Sequence, residues 1–251
     1  MNEFIFSFLH PFRCIGLFFK HPKIILYSIV PMVINLIIYG TIFFLVYNWI
    51  TELTSGIGIL SNQENLLSDI LEFLMRFAAL IVVLIICYFL FIIFGGLVSA
   101  PFDEFTSKYI EEKVYGVRNT LDLPLMKEII MSLKEESKKL LFYFSVIIPL
   151  FAINFIPMIG STVSLVVGTP FSAYFNALDF MDYPMNRSGM VFRQKLVLLN
   201  KRPSLTLGFG TIAFFMTFLP VLNVIMKPLL VVAGTSLYYE KQFDKLIVSA
   251  K

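Results

Sequence analysis

The sequence is poor in the residues on which most catalytic and metal sites depend. It has two histidines, two cysteines and one tryptophan among 251 residues. His10 and His21 both lie near the N-terminus, and no H-E-x-x-H, G-x-x-x-x-G-K-[ST] or nucleophile-elbow pattern occurs. The spans carry no polar constellation of the kind an intramembrane hydrolase needs. No enzyme, cofactor or metal site is therefore expected, and any transport has to run without bound nucleotide as its fuel. Cys14 and Cys87 are too far apart in sequence to suggest a framework and are expected as reduced apolar fillers. Charge is scarce too, at 15% of residues, against about a quarter in soluble domains. The net charge of +3, with no basic run interleaved with aromatics, excludes a nucleic-acid partner. Met1–Phe19 contains Glu3, His10, Pro11 and Arg13 and no small-residue cleavage site, so no signal peptide is expected.

What the chain has in abundance is apolar surface. Apolar residues make up 58%, 28 of them Phe, and the mean hydropathy is +0.82. Residues 1–251 are expected to form one all-α integral membrane domain, with lipid as its main surrounding.

The spans follow from the charge-free runs. Ile24–Thr51 holds 28 residues without charge, enough to cross a ~30 Å hydrocarbon core at ~1.5 Å per residue. Pro31 should kink it, and Tyr47 and Trp49 suit an interface. Ser61 and Glu64 form an S-x-x-E capping box, which predicts a helix from about Asn62 to Val98, ~55 Å long, containing a second charge-free span, Phe77–Phe102. Asp103–Lys139 carries 7 basic and 8 acidic residues and is expected as a polar cytoplasmic helical segment with solvated charges. In it a helix should start at Pro101, present Phe102, Phe105, Tyr109 and Ile110 on one stripe, and stop near Gly116. A second should start near Pro124.

Two apolar blocks follow. Leu140–Leu178 has no charge, and Pro203–Tyr239 has only Lys227. Each has a proline turn at its middle, Pro157 and Pro220, and each repeats V-x-G-T downstream, at Val166–Thr169 and Val232–Thr235. Each reads as a short-armed helical hairpin. The arms Leu140–Ile156 and Ser161–Leu178 would be ~25–27 Å long, and Pro149 and Pro170 should break them further. They either span with little tilt or enter the bilayer and turn back. The basic excess of Met1–Lys23 and Asp179–Arg202 over the acidic Glu52–Arg76 places both termini in the cytoplasm.

Polar groups at membrane depth are the functional candidates. Asn35, Asn154 and Asn176 either bridge helices or line a path. Gly160, Ser161, Thr162 and Asn223 mark helix starts after the two tips. Their unpaired N–H groups and the positive helix end suit an anion. Lys227 adds an ammonium, unless it simply snorkels to water.

These stretches carry a resemblance. Pro22 to Pro31, Ala100-Pro101-Phe102, Ile156-Pro157-Met158-Ile159-Gly160-Ser161-Thr162-Val163, Asp182-Tyr183-Pro184 and Pro220-Val221-Leu222-Asn223 through Pro228 to Gly234 occur in order. The chain resembles the CysZ family of bacterial inner-membrane sulfate permeases and its broader relatives. The resemblance implies two long transmembrane helices and two partly penetrating hairpins. It further implies a multi-pass inner-membrane protein that forms homo-oligomers, in one orientation or in opposed ones, and takes up sulfate for cysteine synthesis without ATP. The family's sulfate site uses a glycine followed by arginines between the two prolines of the first span. Here Ile25 and Leu26 stand at the arginine positions, and Lys20, His21 and Lys23 are the nearby cations. Lysine lacks the planar fork that binds an oxyanion in two places. A permease for a different substrate, or a membrane scaffold or assembly factor on the same fold, is the alternative.

Overall fold

The computed structural model describes residues 2–56, 66–90, 96–117, 125–156, 160–218 and 220–243. All regular structure among them is helical. The order is α1 Glu3–Lys20, α2 Pro22–Gly56, α3 Leu66–Leu90, α4 Gly96–Lys113, α5 Leu125–Ile153 and α6 Gly160–Val163. A π-helical turn, Ser164–Gly168, then leads into α7 Thr169–Arg187, α8 Phe192–Asn200, α9 Pro203–Phe218 and α10 Pro220–Glu240. The Ser61–Glu64 capping box, the tip residues 157–159 and the join between α3 and α4 at residues 91–95 lie outside the described residues.

The chain divides into two compact units, Leu26–Phe102 and Met1–Ile25 with Asp103–Lys251. In the first, Pro22–Glu52 of α2 is long and apolar enough to cross a membrane, with a mean hydropathy of 2.4. Its surface is apolar and bare: Leu26, Leu36, Ile37, Phe44 and Leu45 are each about three-fifths exposed or more. Water would not tolerate such a patch, and lipid does. The helix passes through Pro31 without ending. The apolar part of α3, Phe73–Tyr88, is shorter. Tyr39 donates to the Leu90 carbonyl at 3.3 Å and links α2 to α3.

The second unit is built on α9, which packs against α1 and α7, with α10 beside all three. Glycine makes this packing possible. A Cβ at Gly210 would lie 1.8 Å from the Ala173 carbonyl oxygen of α7, and one at Gly208 would lie 2.3 Å from the Phe4 carbonyl oxygen of α1. Small residues let membrane helices approach this closely. Leu205, Phe209, Met181, Leu230 and Tyr238 fill the interior around these crossings.

Several expectations change. Helix α4 starts at Gly96, five residues before Pro101, which sits inside it. Pro149 does not break its arm, because α5 continues to Ile153. Pro170 lies in the first turn of α7, directly after the π-helical turn. There the wider i→i+5 pattern absorbs the missing N–H. The helical path from Gly160 therefore reaches Arg187, well past Leu178. Gly116 has φ +66°, as a residue just beyond a helix end should.

Candidate functional site

The buried face of α4 is polar. Asp103, Thr106, Ser107, Ile110 and Glu111 are all buried, at the 3.6-residue spacing of one helix face, while Phe105 is half exposed. Of the expected apolar stripe, Ile110 is buried in the core and Tyr109 packs against it, but Phe105 is turned out, and Asp103 and Glu111, expected as solvated, are buried. The reason is what faces them. Helix α7 presents Tyr183 to Asp103 and Arg187 to Glu104, Ser107 and Glu111, and α10 presents Lys227 to Asp103 and Thr235 to Ser107.

Arg187 ties the first cluster together. Its Nε donates to Glu111 Oε2 at 2.6 Å, one Nη donates to Glu104, and the other donates to Ser107 Oγ at 2.7 Å. Ser107 Oγ in turn lies 2.6 Å from Thr235 Oγ1 of α10. Burial on its own would lower the Arg187 pKa. Glu104 and Glu111 outweigh it and hold the guanidinium above its ordinary value.

A second cluster centres on Asp182. Lys195 Nζ of α8 lies 2.5 Å from Asp182 Oδ1 and also donates to Asn186. Lys139 of α5 lies 2.6 Å from Asp179 and 3.8 Å from Asp182. Lys195 is 1% exposed, so its ammonium depends wholly on these partners.

The third pair is Lys227 with Asp103, 2.8 Å apart. Tyr183 reaches the same Asp103 oxygen at 3.5 Å. Burial pushes the Asp103 carboxyl above the usual carboxylate range, against the pull of Lys227. Lys227 is about a quarter exposed and Asp103 only 6%. The ammonium is thus held by Asp103, while part of the Lys227 side chain is exposed.

Together these groups make a polar interior of nearly balanced charge. Each buried cation meets a carboxylate, so no ammonium or guanidinium in it stands ready for an incoming anion without displacing a partner. An anion entering here would exchange one carboxylate for another negative group.

The residues expected from sequence are scattered around this interior. Lys20 ends α1 and Lys23 lies in the first turn of α2, and both are exposed. His21 between them lies 3.5 Å from the Tyr109 hydroxyl. Gly160 is buried, because a Cβ there would lie 2.3 Å from the Ile153 carbonyl oxygen. Its N–H is bonded to Ile156 O at 3.0 Å. Ser161 and Thr162 follow it and are exposed. Asn223 does not precede a helix start: α10 begins at Pro220 and carries Asn223 within it. The proline supplies the first-turn φ and needs no N–H partner. Asn176 accepts from Thr217 Oγ1 at 3.1 Å, joining α7 to α9. Asn35 is buried and donates to Ser99 Oγ at 3.4 Å. Asn154 is exposed beside the first tip.

Sequence reasoning missed Asp103, Glu111, Lys139, Asp182, Arg187 and Lys195. A signal was present. Polar residues recur at helical spacing along 103–111 and 179–187, a pattern that in an apolar chain marks an inward polar face.

The family described as Sulfate transporter CysZ/Etoposide-induced protein 2.4 matches residues 10–228. Proteins named Sulfate transporter CysZ from Salmonella paratyphi A, Salmonella enteritidis PT4 and Salmonella typhimurium are each 27% identical over 221 residues. That match covers 87% of this chain and 86% of theirs. The resemblance drawn from the proline and glycine motifs therefore holds across nearly the whole sequence, and the chain belongs to the Sulfate transporter CysZ/Etoposide-induced protein 2.4 family.

Proposed function

We propose that the protein is an ATP-independent permease for sulfate-type anions, a multi-pass protein of the bacterial inner membrane. In this reading it supplies sulfate for cysteine synthesis, works as a homo-oligomer, and crosses the bilayer with two long helices and two partly penetrating hairpins. The observation that carries it is the extent of the match. Relatives named for sulfate transport align over most of both chains, so the likeness is not confined to one shared hairpin. Gly160, Ser161, Thr162, Asn223 and Lys227 are the proposed contacts near the tips. Lys20 and Lys23 are the proposed entry cations, and Asn35, Asn154 and Asn176 the polar groups along the path.

The test is labelled sulfate uptake into proteoliposomes holding folded protein, with competing anions. Uptake that saturates, needs no ATP and falls several-fold in Lys227→Met is expected. No flux of any anion sinks the transport reading, and flux unchanged in Lys227→Met removes that residue from it.

A second reading is favoured by one observation. Ile25 and Leu26 occupy the positions where the resemblance implies arginines, and both are exposed apolar side chains. A permease for another substrate, or a membrane scaffold without transport, fits that change. Thermal stabilisation that saturates at low sulfate concentration, against chloride at equal ionic strength, separates them, since specific binding stabilises by mass action whereas the general salt effect of sulfate grows with concentration and does not saturate.

A further inference from the structure

Helix α1 wears its apolar side outward. Ser7, His10, Pro11 and Cys14 are buried against the neighbouring helices, whereas Ile5, Leu9, Phe12, Ile15 and Phe19 are exposed. The exposed residues fall within one stripe of a 3.6-residue helix, and Arg13 and Lys20 flank it. Phe19 is 81% exposed. A helix of this kind lies along a membrane interface, apolar side down.

Cations gather beside the stripe. Lys241 Nζ sits 3.7 Å from the centre of the Phe6 ring and the Arg13 guanidinium 4.8 Å from it, so one ring holds two positive groups. Arg202 stands over Phe243 at 5.9 Å and donates to the Lys241 carbonyl at 3.1 Å. That last bond fastens the start of α9 to the end of α10. Arg202 and Lys241 thus stand at the two ends of the apolar run Pro203–Tyr239. Glu240 is the neighbouring carboxylate, 3.7 Å from His10 Nδ1. His10 is pushed down to about 4, by burial first and then by Arg13 and Lys241, so it is neutral at ordinary pH. Arg13, Arg202 and Lys241 thus gather beside one neighbouring carboxylate, Glu240.

We propose that Arg13, Arg202 and Lys241 bind the phosphate headgroup of an anionic phospholipid whose acyl chains pack on the α1 stripe. The cations and the stripe adjoin on one helix. A headgroup at Phe6 places its tails along Ile5, Leu9 and Phe12, a match that neutral lipid meets only in part. This site does not depend on transport and stands or falls separately from it.

The experiment adds phosphatidylglycerol or phosphatidylcholine to the full-length protein in neutral detergent and follows Tm. Stabilisation by phosphatidylglycerol at concentrations roughly 25-fold lower than phosphatidylcholine is expected, since each basic side chain near an anionic surface contributes about a 5-fold preference and the basic groups here exceed the carboxylate by two. R13Q/K241Q should bring the two lipids together. Equal effects of both lipids on the wild type, an unchanged preference in the variant, or an equal shift from soluble glycerol phosphate would overturn the proposal. If the variant does not fold, native mass spectrometry of the wild type from nanodiscs with equal amounts of the two lipids decides. Retained phosphatidylglycerol in excess supports the site, and equal retention overturns it.

Discussion

Along Leu26–Phe102 very few described side chains are buried: Pro31, Asn35 and Val83. Phe44, Phe73, Leu74, Phe77 and Leu84 stand exposed there. The other unit buries Asp103, Glu111, Lys139, Asp182 and Lys195 together with its Leu, Phe and Met core. One region keeps its hydrocarbon outside and almost nothing within, and the other encloses charge. In water this would be an inverted protein. In lipid both regions are reasonable, because hydrocarbon is at home outside and ionisable groups are satisfied only by one another. Substitutions that break the enclosed pairs should therefore cost far more than equally drastic changes on the bare helices.

The largest effect is expected at Arg187. Arg187→Met leaves Glu111, 1% exposed, without its guanidinium. Removing one partner of a buried pair costs ~3–5 kcal/mol, which denaturant titration in detergent would register. A cost under ~1 kcal/mol would mean that the cluster is solvated and the comparison fails. Next comes Gly210→Ala. The added methyl meets the Ala173 backbone oxygen, so α7 and α9 have to separate, at ~1–3 kcal/mol. The same titration, with loss of near-ultraviolet signal, checks it.

Asp103 gives a pH signature. Its carboxyl is raised above the usual value, chiefly by burial. Its contribution is present below the unfolded carboxylate pKa and is lost as pH rises through the raised folded value. Asp103→Asn has no such titration. Its stability relative to the wild type should improve as pH rises across that window, measured as paired Tm values at a series of pH values. A gap that widens the other way would assign the pair with Lys227 a larger weight than burial. The smallest effect belongs to the bare surface. Leu36→Ala, at a site 72% exposed, should change stability in detergent by no more than ~0.5 kcal/mol.

Much of this fold was legible in the apolar runs. The α2 span follows from charge-free length, and the helix from Leu125 into the first hairpin from Pro124 at its start and the charge-free run that begins at Leu140. The positive φ at Gly116 was likewise visible, because glycine is the residue that tolerates it. Pro149 and Pro170 misled because a proline costs only a local hydrogen bond, and neighbouring turns can absorb it. Asn223 misled because the tip proline itself opens the helix. The charged segment 103–139 misled most. A charge reads as solvated until a partner is known, and the partners of Asp103, Glu104 and Glu111 lie 70 or more positions away, on α7 and α10.

By itself the sequence determined the solvent and the helical class, because both depend on local quantities: hydropathy and helical period. It also determined the family, through motifs spread in order along the chain. Only the tertiary structure decided which face of each helix turns inward. That choice depends on what stands opposite: Arg187 across from Glu111, Lys227 across from Asp103, a glycine where two backbones touch. No window of sequence contains both halves of such a pair.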